Sequence, residues 1–192
     1  MEKFLEHSTY IDWQHPAILI QAAQLADATT GPDDIAKKCF EFVRDGIRHS
    51  WDYRDDAHNP VTCKASDVLL QRTGYCYAKS HLLAALLRAN GIPAGLCYQR
   101  LTITDQPPYC LHGLNAVHLP DHGWYRIDAR GNKSNVDAQF CPPQERLAFA
   151  NVASGEKYYE GIWSTPHAEV IRVLETYTTV EQVYQHVPDI GV

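Results

Sequence analysis

Arg72-Thr73-Gly74-Tyr75-Cys76-Tyr77-Ala78-Lys79-Ser80-His81-Leu82-Leu83-Ala84-Ala85-Leu86-Leu87-Arg88-Ala89-Asn90-Gly91 is the stretch on which the fold turns. A glycine turn precedes a cysteine at the first helical position. Leu82, Leu83, Leu86 and Leu87 follow along one face, and Asn90-Gly91 supplies a left-handed stop. At a helix N-terminus, free backbone N–H groups and the positive end of the macrodipole favour thiolate over thiol, so the position suits a nucleophile. Cysteine is also among the most buried residue types, and Cys76 taken alone is more often core filling than catalyst.

A second stretch changes that balance: Cys110-Leu111-His112-Gly113-Leu114-Asn115-Ala116-Val117-His118-Leu119-Pro120-Asp121-His122-Gly123-Trp124-Tyr125-Arg126-Ile127-Asp128-Ala129-Arg130. Read together, the two stretches resemble the transglutaminase-like superfamily. There the nucleophile lies in a Gly-x-Cys before a long helix ending in Gly-Ile-Pro, matched by Gly74-Tyr75-Cys76 and Gly91-Ile92-Pro93. The family's histidine opens a strand, and a Gly-Trp turn leads into a strand ending in aspartate, matched by His112, Gly123-Trp124 and Asp128. The match covers residues 40 to 130. It implies an α+β fold of the papain/transglutaminase-like kind, in which N-terminal helices, with the nucleophile at a helix N-terminus, pack on an antiparallel sheet. It also implies a Cys76, His112 and Asp128 triad in a small, free-standing member of bacterial type. Two departures bear on substrate: Gly113-Leu114 and Ala116 replace the common Ala-Trp and Glu after the histidine, and Ala129-Arg130 replaces Pro-Thr after the aspartate. Cross-linking activity is therefore not implied.

Along the rest of the chain, Phe4, Leu5, Tyr10 and Ile11 alternate loosely and suggest an edge strand over 4–11. Pro16 opens a helix to about Ala28, Thr29-Thr30-Gly31 breaks it, and Pro32-Asp33-Asp34 starts another that ends near Asp45-Gly46. Residues 48–64 have no period and read as a long functional loop whose Trp51 and Tyr53 wall the cleft. Ser66 is expected to cap a short helix, Asp67 to Gln71. Residues 95–104, 111–119 and 123–129 read as three antiparallel strands, the last two joined at Pro120-Asp121-His122-Gly123. Beyond Asn132, 146–150 and 158–162 are short strands or loop, while Pro166 to Thr176 and Val180 to His186 have helical spacing. The expected organisation is one domain over 1–192, with 131–192 an extension packed on the core.

Composition narrows the function classes. The chain has 192 residues, 45% hydrophobic and 21% charged, enough for one domain with its own core. A net charge of −6 and the absence of a long Lys/Arg run argue against a nucleic-acid partner. The N-terminus lacks signal-peptide features and no apolar run reaches membrane-spanning length, so a cytoplasmic location without a membrane partner is expected. Six scattered cysteines read as thiols, and the spacing of His112, His118 and His122 matches no common zinc pattern. No metal and no cofactor are expected; oligomeric state is not legible.

The chemistry implied is acyl transfer through a thioester, with a peptide, protein or amide as substrate and water as the expected acceptor. His112 takes the thiol proton and returns it to the leaving amine, and Asp128 orients the ring. Tyr75 beside the nucleophile and Arg130 beside Asp128 complete a substrate-binding set with Trp51 and Tyr53. For Arg130 a structural salt bridge is an equal alternative. Other readings are a catalytically silent binding module on the same fold, or an acyltransferase using an amine or thioester substrate. Pairing raises one difficulty. If Leu119 lies opposite Trp124, His112 faces Gly131, and a bulge or longer turn is needed to bring Asp128 to it.

Overall fold

A computed structural model describes residues 1–28 and 31–191; the expected break at Thr29-Thr30 lies outside the described residues. In chain order the elements are α1 (Pro16–Ala26), α2 (Pro32–Gly46), β1 (Arg48–His49), α3 (Ala65–Gln71), β2 (Thr73–Gly74), α4 (Cys76–Ala89), β3 (Ala94–Thr102), β4 (Tyr109–Leu119), β5 (Gly123–Ile127), β6 (Gln139–Cys141), β7 (Gln144–Arg146), β8 (Lys157–Tyr158), α5 (Ala168–Thr176) and α6 (Val180–Gln185). The main sheet is antiparallel, in the order β5-β4-β3-β8. The fold is α+β, as expected.

α4 is the axis of the molecule. It packs on α1, α2 and α3 along one side and on β3 and β4 along the other. Every residue from Cys76 to Arg88 is therefore buried, rather than one apolar stripe. Truncating one of its fully buried leucines would cost about 2–5 kcal/mol. Its buried polar side chains are tied to backbone carbonyls: Lys79 to Ile47 and Arg130, Arg88 to Ala94 and Ser164, His81 to Cys63. The helix ends where Gly91 takes φ +71, a conformation that favours glycine. A smaller apolar cluster, Cys97, Leu114 and Ala116 with Trp124, Leu147 and Ile162, fills the opposite face of the sheet.

Several expectations need correction. No strand forms over 4–11. Phe4 lies in a 3-10 turn and is buried edge-on against Trp124, while Ser8 bonds Ile11 through both its N–H and its hydroxyl oxygen in place of a ladder. Ser66 lies inside α3 instead of capping it, because its N–H and hydroxyl both bond the Asp12 carboxylate. The 48–64 loop begins with β1, paired in parallel with β2, followed by a 3-10 turn over Ser50–Tyr53. Asn59 pins it by donating to the Ser50 and Tyr53 carbonyls. The short strands of the C-terminal third fall at 139–141, 144–146 and 157–158.

Candidate active site

The β4–β5 register decides what the sheet brings together. Leu119 pairs with Gly123, not Trp124, and the last pair is Asn115 with Ile127. A one-residue change of register moves a strand's side chains to the other face. The expected pairing sets Asp128 opposite Asn115, on the face away from His112. The observed register carries Asp128 onto the face of His112, as a diagonal neighbour within reach of two side chains. No bulge is needed, and Asp128 Oδ2 accepts from His112 Nε2 at 2.8 Å.

β5 ends at Ile127, which leaves the lower half of that β4 edge without a strand partner. Two N–H groups on the open edge find other acceptors. Leu111 N donates to the Pro188 carbonyl at 2.7 Å, and Gly113 N donates to Cys76 Sγ at 3.4 Å. Cys76 can come this close because residue 113 has no side chain: a Cβ there would lie 3.0 Å from Tyr77 Cα. Gly74 has a similar role before the helix, where a Cβ would lie 3.1 Å from Thr62 Oγ1 and 3.2 Å from Ala78 Cβ. The glycines flanking the cysteine are packing requirements.

Cys76, His112 and Asp128 are all buried, at 6%, 4% and 1% exposure. Burial opposes charge on His112, yet the Asp128 carboxylate and the Cys76 sulfur outweigh it and raise the imidazole to about 10. Asp128 is buried too, but the His112 charge and N–H groups of Ala148 and Arg130 hold it below the ordinary carboxylate value. With Nε2 committed to Asp128, Nδ1 is the nitrogen left for Cys76.

Cys76 and His112 line a cavity of about 440 Å³, with Asp128 buried behind the histidine. Trp51 and Tyr75 line it, Trp51 stacked on Tyr184 with ring centroids 3.4 Å apart and Tyr75 donating its hydroxyl to the Val180 carbonyl. Tyr53 faces a neighbouring cavity. Arg130 borders both cavities and is held by Asp52 through two hydrogen bonds. Residues that sequence reasoning did not single out also line the cleft: His49, Phe149, whose ring meets His112 edge-on at 5.0 Å, and Tyr184 and Val187 from the C-terminal region. Only tertiary packing brings them here, and no motif marks them. Among the described residues no cluster suited to a metal ion is present, and no helix is long and apolar enough to cross a membrane. The six cysteines are free thiols.

Such a fold, with a cysteine opening the central helix beside a histidine–carboxylate pair on the sheet, defines the papain-like α+β class. The chain belongs to the transglutaminase-like superfamily, whose family model matches residues 21–129. That superfamily consists typically of cysteine-dependent enzymes. Among solved structures, the chain is similar to a candidate cysteine protease from Cytophaga hutchinsonii (20% identity, TM-score 0.51, 66% of this chain and 40% of that one). It is also similar to the periplasmic domain of TgpA from Pseudomonas aeruginosa (20% identity, TM-score 0.46, 66% and 45%). A curated relative, the CMP-5'-(3-aminopropyl)phosphonate synthase of Streptomyces rubellomurinus, is 25% identical over 169 residues, 82% of this chain and 26% of the relative. The chain thus spans about a quarter of that protein's length.

Proposed function

We propose that the protein is a cysteine-dependent acyl-transfer enzyme that hydrolyses a peptide or amide bond through a thioester. The observation that carries this reading is Cys76 and His112 side by side at the wall of one cavity, with Cys76 Sγ accepting from Gly113 N–H and His112 bonded behind it to Asp128 at 2.8 Å.

Each group has a role its surroundings support. Cys76 Sγ attacks the carbonyl carbon, its proton having passed to His112 Nδ1, and the carbonyl π electrons move onto oxygen. The backbone N–H of Cys76, at the first position of α4 where a helix offers no acceptor of its own, can donate to that oxyanion, a contact worth about 3–4 kcal/mol. Collapse expels the amine, which takes the proton from His112 and leaves a Cys76 thioester. Water, deprotonated by His112, then attacks the thioester carbonyl; collapse breaks the C–S bond, releases the carboxylic acid and returns the proton from His112 to the Cys76 sulfur. Asp128 holds one imidazole orientation throughout and favours the imidazolium. Gly113 N–H donates to the sulfur and so holds Sγ beside His112.

The test is the rate of iodoacetamide alkylation at each cysteine against pH, by peptide mass spectrometry, in the wild type and in His112→Ala. Rapid modification of Cys76 at mildly acidic pH, lost in the variant, is expected. An ordinary thiol titrates near about 8.5. If Cys76 reacts no faster than Cys141, or His112→Ala changes nothing, the thiol lacks its base and the reading falls.

A further inference from the structure

Next to the cysteine cleft lies a second cavity of about 610 Å³, and His49, Arg130 and Lys133 line both. The chain as a whole carries −6, but this cavity is locally cationic. Arg44, Arg48, Arg54, Arg130 and Lys133 line it against the carboxylates of Asp45 and Asp52.

The existing pairings do not exhaust that charge. Arg44 directs four of its five donors to Asp45, the Ala138 carbonyl and Gln139. Asp52 serves two cations at once: both its oxygens bond Arg130, and Oδ1 also accepts from Lys133 at 3.1 Å. Arg48 pairs through one nitrogen with Asp56 at 2.6 Å. Arg54 has no carboxylate partner among the described residues; it lies over the Trp51 ring and donates to the Trp51 carbonyl at 3.4 Å. Counting Asp56 with the two lining carboxylates, five cations face three anions, an excess of two positive charges. A concave surface with unneutralised guanidinium and ammonium groups concentrates anions, and arginine forks match carboxylate and phosphate oxygens.

We infer that this cavity is a subsite for an anionic group, a carboxylate or a phosphoryl group, carried by a substrate whose reacting carbonyl lies at Cys76. The inference rests on the acyl-transfer reading for the second half of that statement, but the anion site itself can be measured without chemistry. Arg130 and Lys133 stand where the two cavities meet, so one small molecule can reach both.

The experiment is a two-dimensional NMR titration of the ¹⁵N-labelled protein at constant ionic strength. Three probes are used: inorganic phosphate, acetyl-Ala-Ala with its free carboxylate, and the same peptide as the carboxamide. Saturable shifts at the amides of 48–54 and 131–133, below about 10 mM, are expected with an anion and not with the carboxamide. Phosphate saturating at least tenfold lower than the free peptide assigns the site to phosphoryl groups, and the reverse assigns it to a chain-terminal carboxylate. The double variant Arg54→Gln/Lys133→Gln should weaken binding at least tenfold with the rest of the spectrum unchanged. No saturable shift for either anion, or equal binding by the double variant, overturns the inference. Alkylation of Cys76 separates the two readings. Anion binding with an ordinary Cys76 sinks the enzyme and keeps the site; an activated Cys76 without anion binding does the opposite.

Discussion

Asp128→Asn is the substitution that most directly tests the site, because it removes one charge with little change of shape. The carboxylate is fully buried and accepts three hydrogen bonds, from His112 Nε2 (2.8 Å) and Ala148 N (3.0 Å) on Oδ2 and from Arg130 N (3.1 Å) on Oδ1. An asparagine keeps one oxygen, and its best orientation leaves that oxygen on the two-donor side. Its NH2 then faces the Arg130 N–H, and a buried backbone donor loses its acceptor, which costs about 1–3 kcal/mol. Replacing a charged acceptor by a neutral one at His112 costs about 1 kcal/mol more, so an overall loss of about 2–4 kcal/mol is expected.

The electrostatic consequence is separable from the loss of stability. His112 is raised to about 10 against an opposing burial effect, with the Asp128 charge as the leading favourable cause. A raised value means the ring stays protonated as pH climbs past 6.5, so the wild-type His112 Cε1 resonance should remain that of imidazolium at pH 8. In the variant burial acts with far less opposition, and the ring should titrate well below the wild-type value, toward the ordinary 6.5. Turnover of any substrate found should fall about 100-fold or more, the usual worth of a positioned base. A folded variant whose His112 is still imidazolium at pH 8, or whose turnover falls less than tenfold, refutes the role given to Asp128.

Three further outcomes are expected. Gly113→Ala sets a Cβ 3.0–3.1 Å from Tyr77 backbone atoms; it should lower stability by about 1–3 kcal/mol and slow Cys76 alkylation, and a melting shift with unchanged alkylation would separate Gly113 from the thiol's position. The Trp51–Tyr184 stack, planes 5° apart, should give a coupling of about 0.5–1.5 kcal/mol in a double-mutant cycle by denaturant unfolding; additive single losses would deny the contact. Glu156 is lowered to about 2 because the Thr102 N–H and hydroxyl and the Val152 and Ala153 N–H groups, against its burial, bond its carboxylate. Its stabilisation is full above the ordinary 4.5 and lost as pH falls through about 2, so acid unfolding of Glu156→Gln should lack that component, and superimposable acid curves would count against the clamp.

How far the sequence spoke for the fold depended on whether local rules governed the segment. α4 was legible because Gly74 before it, Cys76 at its first turn and Asn90-Gly91 after it are local signals. α1 and α2 were legible because each begins with proline. The supposed strand at 4–11 was not, since Ser8 closes a local turn with Ile11 and no neighbouring strand accepts it; Phe4 is buried against Trp124, some 120 residues away. Ser66 has the residue type of a cap but the partner of a tertiary contact, Asp12, and spacing within α3 carries no trace of that.

The site divides along the same line. Cys76, His112 and Asp128 could be named from motifs, but the face on which Asp128 lies depended on whether a four-residue or a three-residue loop joins β4 to β5. Gly123, at φ +67, favours the tighter closure by taking a conformation that a side chain resists. That single turn moves Asp128 from the far side of the sheet to the His112 side. The cationic cavity was illegible for a different reason. Its charges come from 44–54 and 130–133, two segments each unremarkable in an acidic chain, and only the packing of the Asp52 loop against the end of β5 gathers them. Motifs therefore name the candidate reacting atoms of the proposed chemistry, while the surface that would choose among substrates is assembled by contacts between segments some 80 residues apart.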